Sequence, residues 1–102
     1  MMLKSDEVSL QNLVPQVVLA LIIVNEVYNS YGVDLVITSA NDSIHSRGSL
    51  HYSGNAVDLR TRTLREEDRP TVAEEIQRRL NKDFDVVLES DHIHLEWQPK
   101  YG

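Results

Sequence analysis

Phe84-Asp85-Val86-Val87-Leu88-Glu89-Ser90-Asp91-His92-Ile93-His94-Leu95-Glu96-Trp97 reads as a β-hairpin. Phe84 to Leu88 is one strand, rich in apolar and β-branched residues, and His92 to Trp97 is the next. A tight turn near Ser90 and Asp91 joins them. Side chains alternate along a strand, so Ile93, Leu95 and Trp97 turn one way and His92, His94 and Glu96 the other. One face of this hairpin is therefore built to be buried, and the opposite face gathers groups that can titrate or bind a metal.

Working outward, Asn55 to Thr61 has the same alternation. Val57, Leu59 and Thr61 share one side, and Ala56, Asp58 and Arg60 share the other. Val33 to Thr38 reads as a further buried strand. Between these two strands lies Ser39 to Ser53, polar and Gly-containing, which reads as a long loop. Loops of that length in small domains tend to be functional or disordered. Pro15 suits an early helical position, and Val14, Val17, Val18, Leu21, Val24 and Tyr28 recur at helical spacing. Leu19, Ala20, Ile22 and Ile23 widen that stripe, which predicts a helix buried on most sides and stopped at Gly32. A second helix is expected from about Pro70 to Leu80, capped by Asp68 or by Thr71, whose spacing to Glu74 fits a capping box. Residues 1–12 are polar and are expected to be loosely ordered at the start. The expected fold is α+β, a small, mainly antiparallel sheet with flanking helices, in one domain spanning residues 1–102.

Composition narrows the function. The chain has 102 residues, 41% hydrophobic and 25% charged, an ordinary globular balance that supports one core. Its formal net charge is −6, and its basic residues fall in small groups: Arg60, Arg62 and Arg65, then Arg78 and Arg79. Both groups read as solvated faces, and no nucleic-acid partner is expected, because phosphate binding needs a concentrated basic surface. There are no cysteines, so a metal site would have to use His and carboxylate ligands. The apolar run Val14 to Val24 is shorter than the about 20 residues that span a bilayer. Acidic residues precede it and no small-residue cleavage site follows, so it reads as a core helix in a protein made without an export signal.

Three of the four histidines fall in two segments. The first is Ser49-Leu50-His51-Tyr52-Ser53-Gly54-Asn55-Ala56-Val57-Asp58, and the second is Glu89 to Trp97. A hydrolytic zinc takes three protein ligands, often mixed His and carboxylate, and keeps a fourth place for water. His51 at the end of the loop, Asp58 on the strand behind it and His94 on a neighbouring strand could supply them. Gly54 permits close backbone approach, and Ala56 keeps space beside Asp58. Asp91, three residues before His94, could serve as the general base. His45 reads as a surface residue. Trp97 reads as core, and Tyr52 could line a cleft.

The first segment resembles the S-x-H-x-x-G-x-A-x-D pattern of zinc D-Ala-D-Ala carboxypeptidases and L-alanyl-D-glutamate endopeptidases. VanY- and VanX-like enzymes and several phage endolysins belong to that family. The second segment resembles the family's acid-x-x-His element. Leu13-Val14-Pro15 into a helix, followed by Leu35-Val36-Ile37-Thr38-Ser39, is similar to the elements that precede the family's zinc loop. The resemblance implies a Hedgehog/DD-peptidase-like fold, Zn²⁺ held by His51, Asp58 and His94, Asp91 as catalytic base, and Ser49 as a hydrogen-bonding partner near the first ligand. Glu89 and His92 share the acid-x-x-His spacing, but His94-Leu95-Glu96 better resembles the family's third ligand and the residues after it. Many members carry an arginine after the Thr-Ser that ends the first strand, where it holds the substrate carboxylate. Here the residues are Ala40-Asn41-Asp42, and Arg47 in the same loop could take that role. The implied activity is hydrolysis of a peptide bond in peptidoglycan stem or cross-link peptides. The implied place of action is the cell wall, after synthesis in the cytoplasm and release, in the manner of a phage lytic enzyme. Two alternatives stand beside it: a peptidoglycan- or protein-binding module that keeps the fold without turnover, and a zinc hydrolase acting on another substrate.

Overall fold

The computed structural model describes residues 1–5, 8, 10, 13–40 and 55–99. In chain order the elements are β1 (Met2–Leu3), α1 (Pro15–Ser30), β2 (Val36–Ala40), β3 (Ala56–Arg60), a 3₁₀ turn (Glu66–Asp68), α2 (Arg69–Arg79), β4 (Phe84–Leu88) and β5 (His92–Trp97). The sheet order is β1-β2-β3-β5-β4; only the β1–β2 pair is parallel. The domain is thus the expected small α+β fold, with a five-stranded, mostly antiparallel sheet and two helices.

The alternation read in the hairpin is what divides the sheet into two faces. Val57, Leu59, Ile93 and Leu95 are at most 2% exposed and meet Val17, Leu21, Val24 and Val27 of α1 and Val72 and Ile76 of α2 in one core. Burying side chains of this size contributes about 1.5–3 kcal/mol each. Tyr28, fully buried, donates its hydroxyl to the Arg60 carbonyl at 2.7 Å and so fastens α1 to the end of β3. Burial pushes its phenol well above the usual range, only partly offset by the nearby Arg69 guanidinium. On α2, the Gln77 side-chain amide donates to Phe84 O at 2.9 Å and accepts from Val86 N at 3.2 Å. That clamp covers backbone groups of the edge strand β4, which would otherwise invite pairing with another chain.

Four expectations change. Met2–Leu3 forms a short parallel edge strand on β2, and Val8 is buried at 8% exposure, so part of the N-terminal stretch is built into the fold. The strand expected at Val33 to Thr38 runs three residues later in its start and two later in its end, at Val36–Ala40. Helix α1 ends as read, with Gly32 at φ +78° after Tyr31, but it is not buried on most sides. Val18, Leu19 and Ile22 are 41%, 63% and 51% exposed, because the sheet and α2 cover only one side of it. Thr71 lies inside α2 rather than at its cap, and Asp68, at the cap position, spends its carboxylate on Arg65 instead of on backbone N–H groups.

Candidate functional site

The face of the sheet turned away from the helices carries the titratable side chains. In the β3–β5 ladder, Asp58 lies directly opposite His94 and Arg60 opposite His92. Residues so placed have Cβ atoms about 5 Å apart, which is why two groups 36 positions apart in sequence meet. Asp58 Oδ1 and His94 Nδ1 stand 2.9 Å apart. The other imidazole nitrogen, Nε2, is 2.9 Å from Glu96 Oε1, and Gln98 donates to Glu96 Oε2 at 2.6 Å. His94 is thus held between two carboxylates on its own face of the sheet.

These contacts set the charges. The hydrogen bond to Asp58 raises the His94 pKa to about 9; partial burial opposes this and Glu96 assists it. Burial alone would push Glu96 up, but its hydrogen bonds with Gln98 and His94 outweigh burial and leave its carboxyl below the usual range. The second histidine of the strand lies further off: His92 Nε2 is 3.7 Å from Asp58 Oδ1, and its Nδ1 is 2.7 Å from Asp91 Oδ1. That bond to His92 is the main reason the Asp91 carboxyl is lowered. The Asp91 side chain is 85% exposed. The result is a row of side chains, Asp91–His92–Asp58–His94–Glu96, crossing the hairpin and β3.

A bulge in β2 adds two groups that the sequence alone did not assign to the site. Ile37 pairs with Leu59 and Ala40 with Val57, while Ser39 pairs with Asp58, so Thr38 and Ser39 together answer one residue of β3. Thr38 Oγ1 lies 3.4 Å from the Asp58 carbonyl. Bulges of this kind re-aim side chains and recur beside active sites. Ser39, Ala56, Val57, Asp58 and His94 line a small cavity of about 110 Å³.

As a metal centre, the pair fits in donor chemistry. A carboxylate oxygen and an imidazole nitrogen on one zinc lie about 3.3 Å apart, given bonds of about 2.0–2.1 Å at tetrahedral angles. The observed 2.9 Å is close to this. Glu96 on Nε2 is the carboxylate partner that ligating histidines commonly have on their other nitrogen. Among the described residues no three His, Cys, Asp or Glu side chains converge as a metal cage. His51, Ser49 and Arg47 lie outside the described residues, as do His45 and Tyr52.

No protein family, curated protein or solved structure matches this chain. Among the described residues, no helix is long and apolar enough to cross a membrane.

Proposed function

We propose that the chain is a zinc-dependent peptidase of the D-Ala-D-Ala carboxypeptidase and L-alanyl-D-glutamate endopeptidase type, with a Hedgehog/DD-peptidase-like fold, acting on peptidoglycan peptides. One observation carries this reading: Asp58 and His94, singled out by their spacing, are cross-strand neighbours whose ligating atoms sit 2.9 Å apart beside a small cavity. His51 is the third ligand in this reading. Bound zinc would supply Lewis acidity, polarising the scissile carbonyl and lowering the pKa of water.

The protein's own groups do the rest. Glu96 takes the Nε2 hydrogen of His94 and leaves Nδ1 free for the metal side, which fixes the tautomer. Asp58 keeps its carboxylate on the same side. Asp91, held ionised by His92, accepts a proton from the attacking water and returns it to the departing amine. Its side chain is 85% exposed, which in this reading leaves it open to substrate and solvent. Thr38 and Ser39, brought forward by the bulge, are placed to hydrogen-bond the substrate backbone.

The exposure of Asp91 also favours a second reading. A carboxylate bound to His92 rather than aimed at the Asp58–His94 pair suits a module that grips wall peptides without cutting them. Elemental analysis and a wall-digestion assay separate the two. The peptidase reading expects about one zinc per chain, lost in His51→Ala and His94→Ala and kept in His92→Ala, with chelator-sensitive release of amines from purified cell walls. Zinc without release across a panel of wall chemotypes leaves the binder. Loss of zinc in His92→Ala alone moves the third ligand to His92 and refutes the assignment of His94.

A further inference from the structure

Helix α1 packs one stripe of side chains on the sheet and turns another apolar stripe outward. Val18, Leu19 and Ile22 are all exposed. They stand three or four apart, so they form one ridge along the helix. No charged residue occurs from Pro15 to Asn25. Beside the ridge runs a groove of about 470 Å³, whose walls include Ala20, Ile23, Leu80, Phe84 and Trp97. Leu19 belongs both to the ridge and to the groove wall. Single exposed apolar side chains are ordinary on a protein surface, but a contiguous ridge against an apolar groove marks an interaction surface. Two properties of this patch point to a second copy of the chain as its occupant. The first is shape: a two-fold contact needs a patch complementary to itself, and here ridge and groove lie side by side in one patch. The second is charge. Helix α1 has no acidic residue in its first turn, and among the described residues no side chain caps its N-terminal N–H groups. That end carries an uncompensated partial positive charge. Glu26, one turn beyond Ile22, has a side chain 59% exposed, with Oε1 on Arg79 at 2.7 Å. In an antiparallel pair of α1 helices, Leu19 of each copy can face Ile22 of the other. That alignment sets Glu26 of each copy opposite Pro15 of the other, at the uncapped helix end.

We infer that the chain forms a two-fold dimer through antiparallel α1 helices, the Val18–Leu19–Ile22 ridge of each copy lying against the groove of the other. Two chains of net charge −6 repel at a distance, so contact is favoured where charge is absent, as it is along Pro15 to Asn25. The same net charge disfavours an anionic membrane surface as the occupant. A contact along one helix of 16 residues, about 24 Å long, is smaller than the standard interface of about 800 Å² per partner, so the dimer is expected to exchange with monomer at micromolar concentrations. Asp58 and His94 lie on the face of the sheet away from α1, and both copies keep that face open. The inference does not depend on the peptidase reading.

The test is sedimentation velocity of the full-length chain from roughly 5 to 500 μM, beside Leu19→Glu and Ile22→Glu. The mean mass is expected to rise from one chain toward two and to stop there, because a two-fold contact closes. Either substitution puts an unpaired carboxylate into the apolar contact and should weaken association about tenfold or more, with the unfolding midpoint and the zinc content of the wild type. Glu26→Gln, at the exposed edge of the patch, should raise the dissociation constant about threefold by weakening the contact with the partner's helix end. It keeps the test valid if the two ridge variants fail to fold. A mass of one chain at every concentration, growth beyond two chains, or association that none of the three substitutions weakens overturns the inference. Binding of the monomer to vesicles of neutral phosphatidylcholine, lost in Leu19→Glu, assigns the face to a lipid surface and also overturns it. None of these outcomes changes the zinc count on which the peptidase reading depends, so the two fail separately.

Discussion

Raising the pH should weaken the metal-free protein and strengthen its hold on zinc, through the same proton. His94 rises from 6.5 to about 9 in the folded state. Its folded pKa lies above its unfolded value, so the folded chain binds the extra proton in that window. The stabilisation is fully present below pH 6.5 and is lost as pH climbs through about 9. At about 1.4 kcal/mol for each tenfold change in proton affinity, full conversion gives about 3 kcal/mol. A third of the side chain is in solvent (34% exposed), where ion pairs are screened, so about 1 kcal/mol is the expected loss. The assay is urea unfolding of chelator-treated protein at several pH values, compared with His94→Gln. His92 and the carboxylates are common to both proteins, so the difference isolates the His94 proton. Zinc cancels that slope. An imidazole must lose its proton to ligate, so zinc stabilises by RT ln(1 + [Zn]/Kd) with a Kd that falls about tenfold per pH unit below the His94 pKa. With zinc saturating, neither the folded nor the unfolded chain carries the His94 proton above pH 6.5, so stability should stay level over the range where the metal-free protein declines. Superimposable pH profiles for the wild type and His94→Gln, with and without zinc, would refute the reasoning, because the Asp58–His94–Glu96 row would then store no proton and offer no ligand.

Glu96→Gln keeps an acceptor for His94 Nε2–H but removes the charge behind it; zinc affinity measured against a competing chelator should drop about 10–100-fold, with the unfolding midpoint of the metal-free protein changed much less. Leu95→Ala, at a fully buried position between the two helices and β3, should cost about 2–5 kcal/mol in urea unfolding, a large part of the about 5–15 kcal/mol that a domain of this size has.

The sequence carries the β4–β5 hairpin, β3 and the end of α1 because each is decided by residues close together along the chain. Alternation at Ile93, Leu95 and His92, His94 fixes which face is which, and Gly32 can take the positive φ that ends the helix. The Asp58–His94 meeting is legible for a related reason. Both residues have the parity of the open face, so pairing β3 with β5 in this register brings them together. What could not be read depends on distant partners. Met2–Leu3 is too short to show a period, and its strand exists only because β2 offers an edge. Val18, Leu19 and Ile22 look like core because hydropathy reports what a side chain prefers and not what covers it. The bulge at Thr38 is a matter of register between β2 and β3, invisible in either strand alone.

The two faces of the sheet explain why a domain this small can hold such a row of charges. Every strong apolar contact of β3 and β5 lies on the side of α1 and α2, so the fold does not depend on what the other side carries. Asp58, His92, His94 and Glu96 can therefore be arranged for binding, and their mutual hydrogen bonds cancel much of the cost of holding like charges close together. Asp58 and Glu96 on one face would repel; His94 between them, bonded to both, makes the cluster self-consistent without a metal, and in the proposed reading it would give up its Nδ1 contact to a metal. The bulge in β2 adds Thr38 and Ser39 to that face without disturbing Ile37 and Ala40, which stay buried on either side of it. A site built this way tolerates substitution in its charges better than in its scaffold. Asp58→Asn should abolish zinc uptake and leave a folded protein; deleting Thr38 closes the bulge, leaves Ile37 and Ala40 two apart and still on the buried face, and should take the Thr38 hydroxyl out of the site without unfolding the sheet.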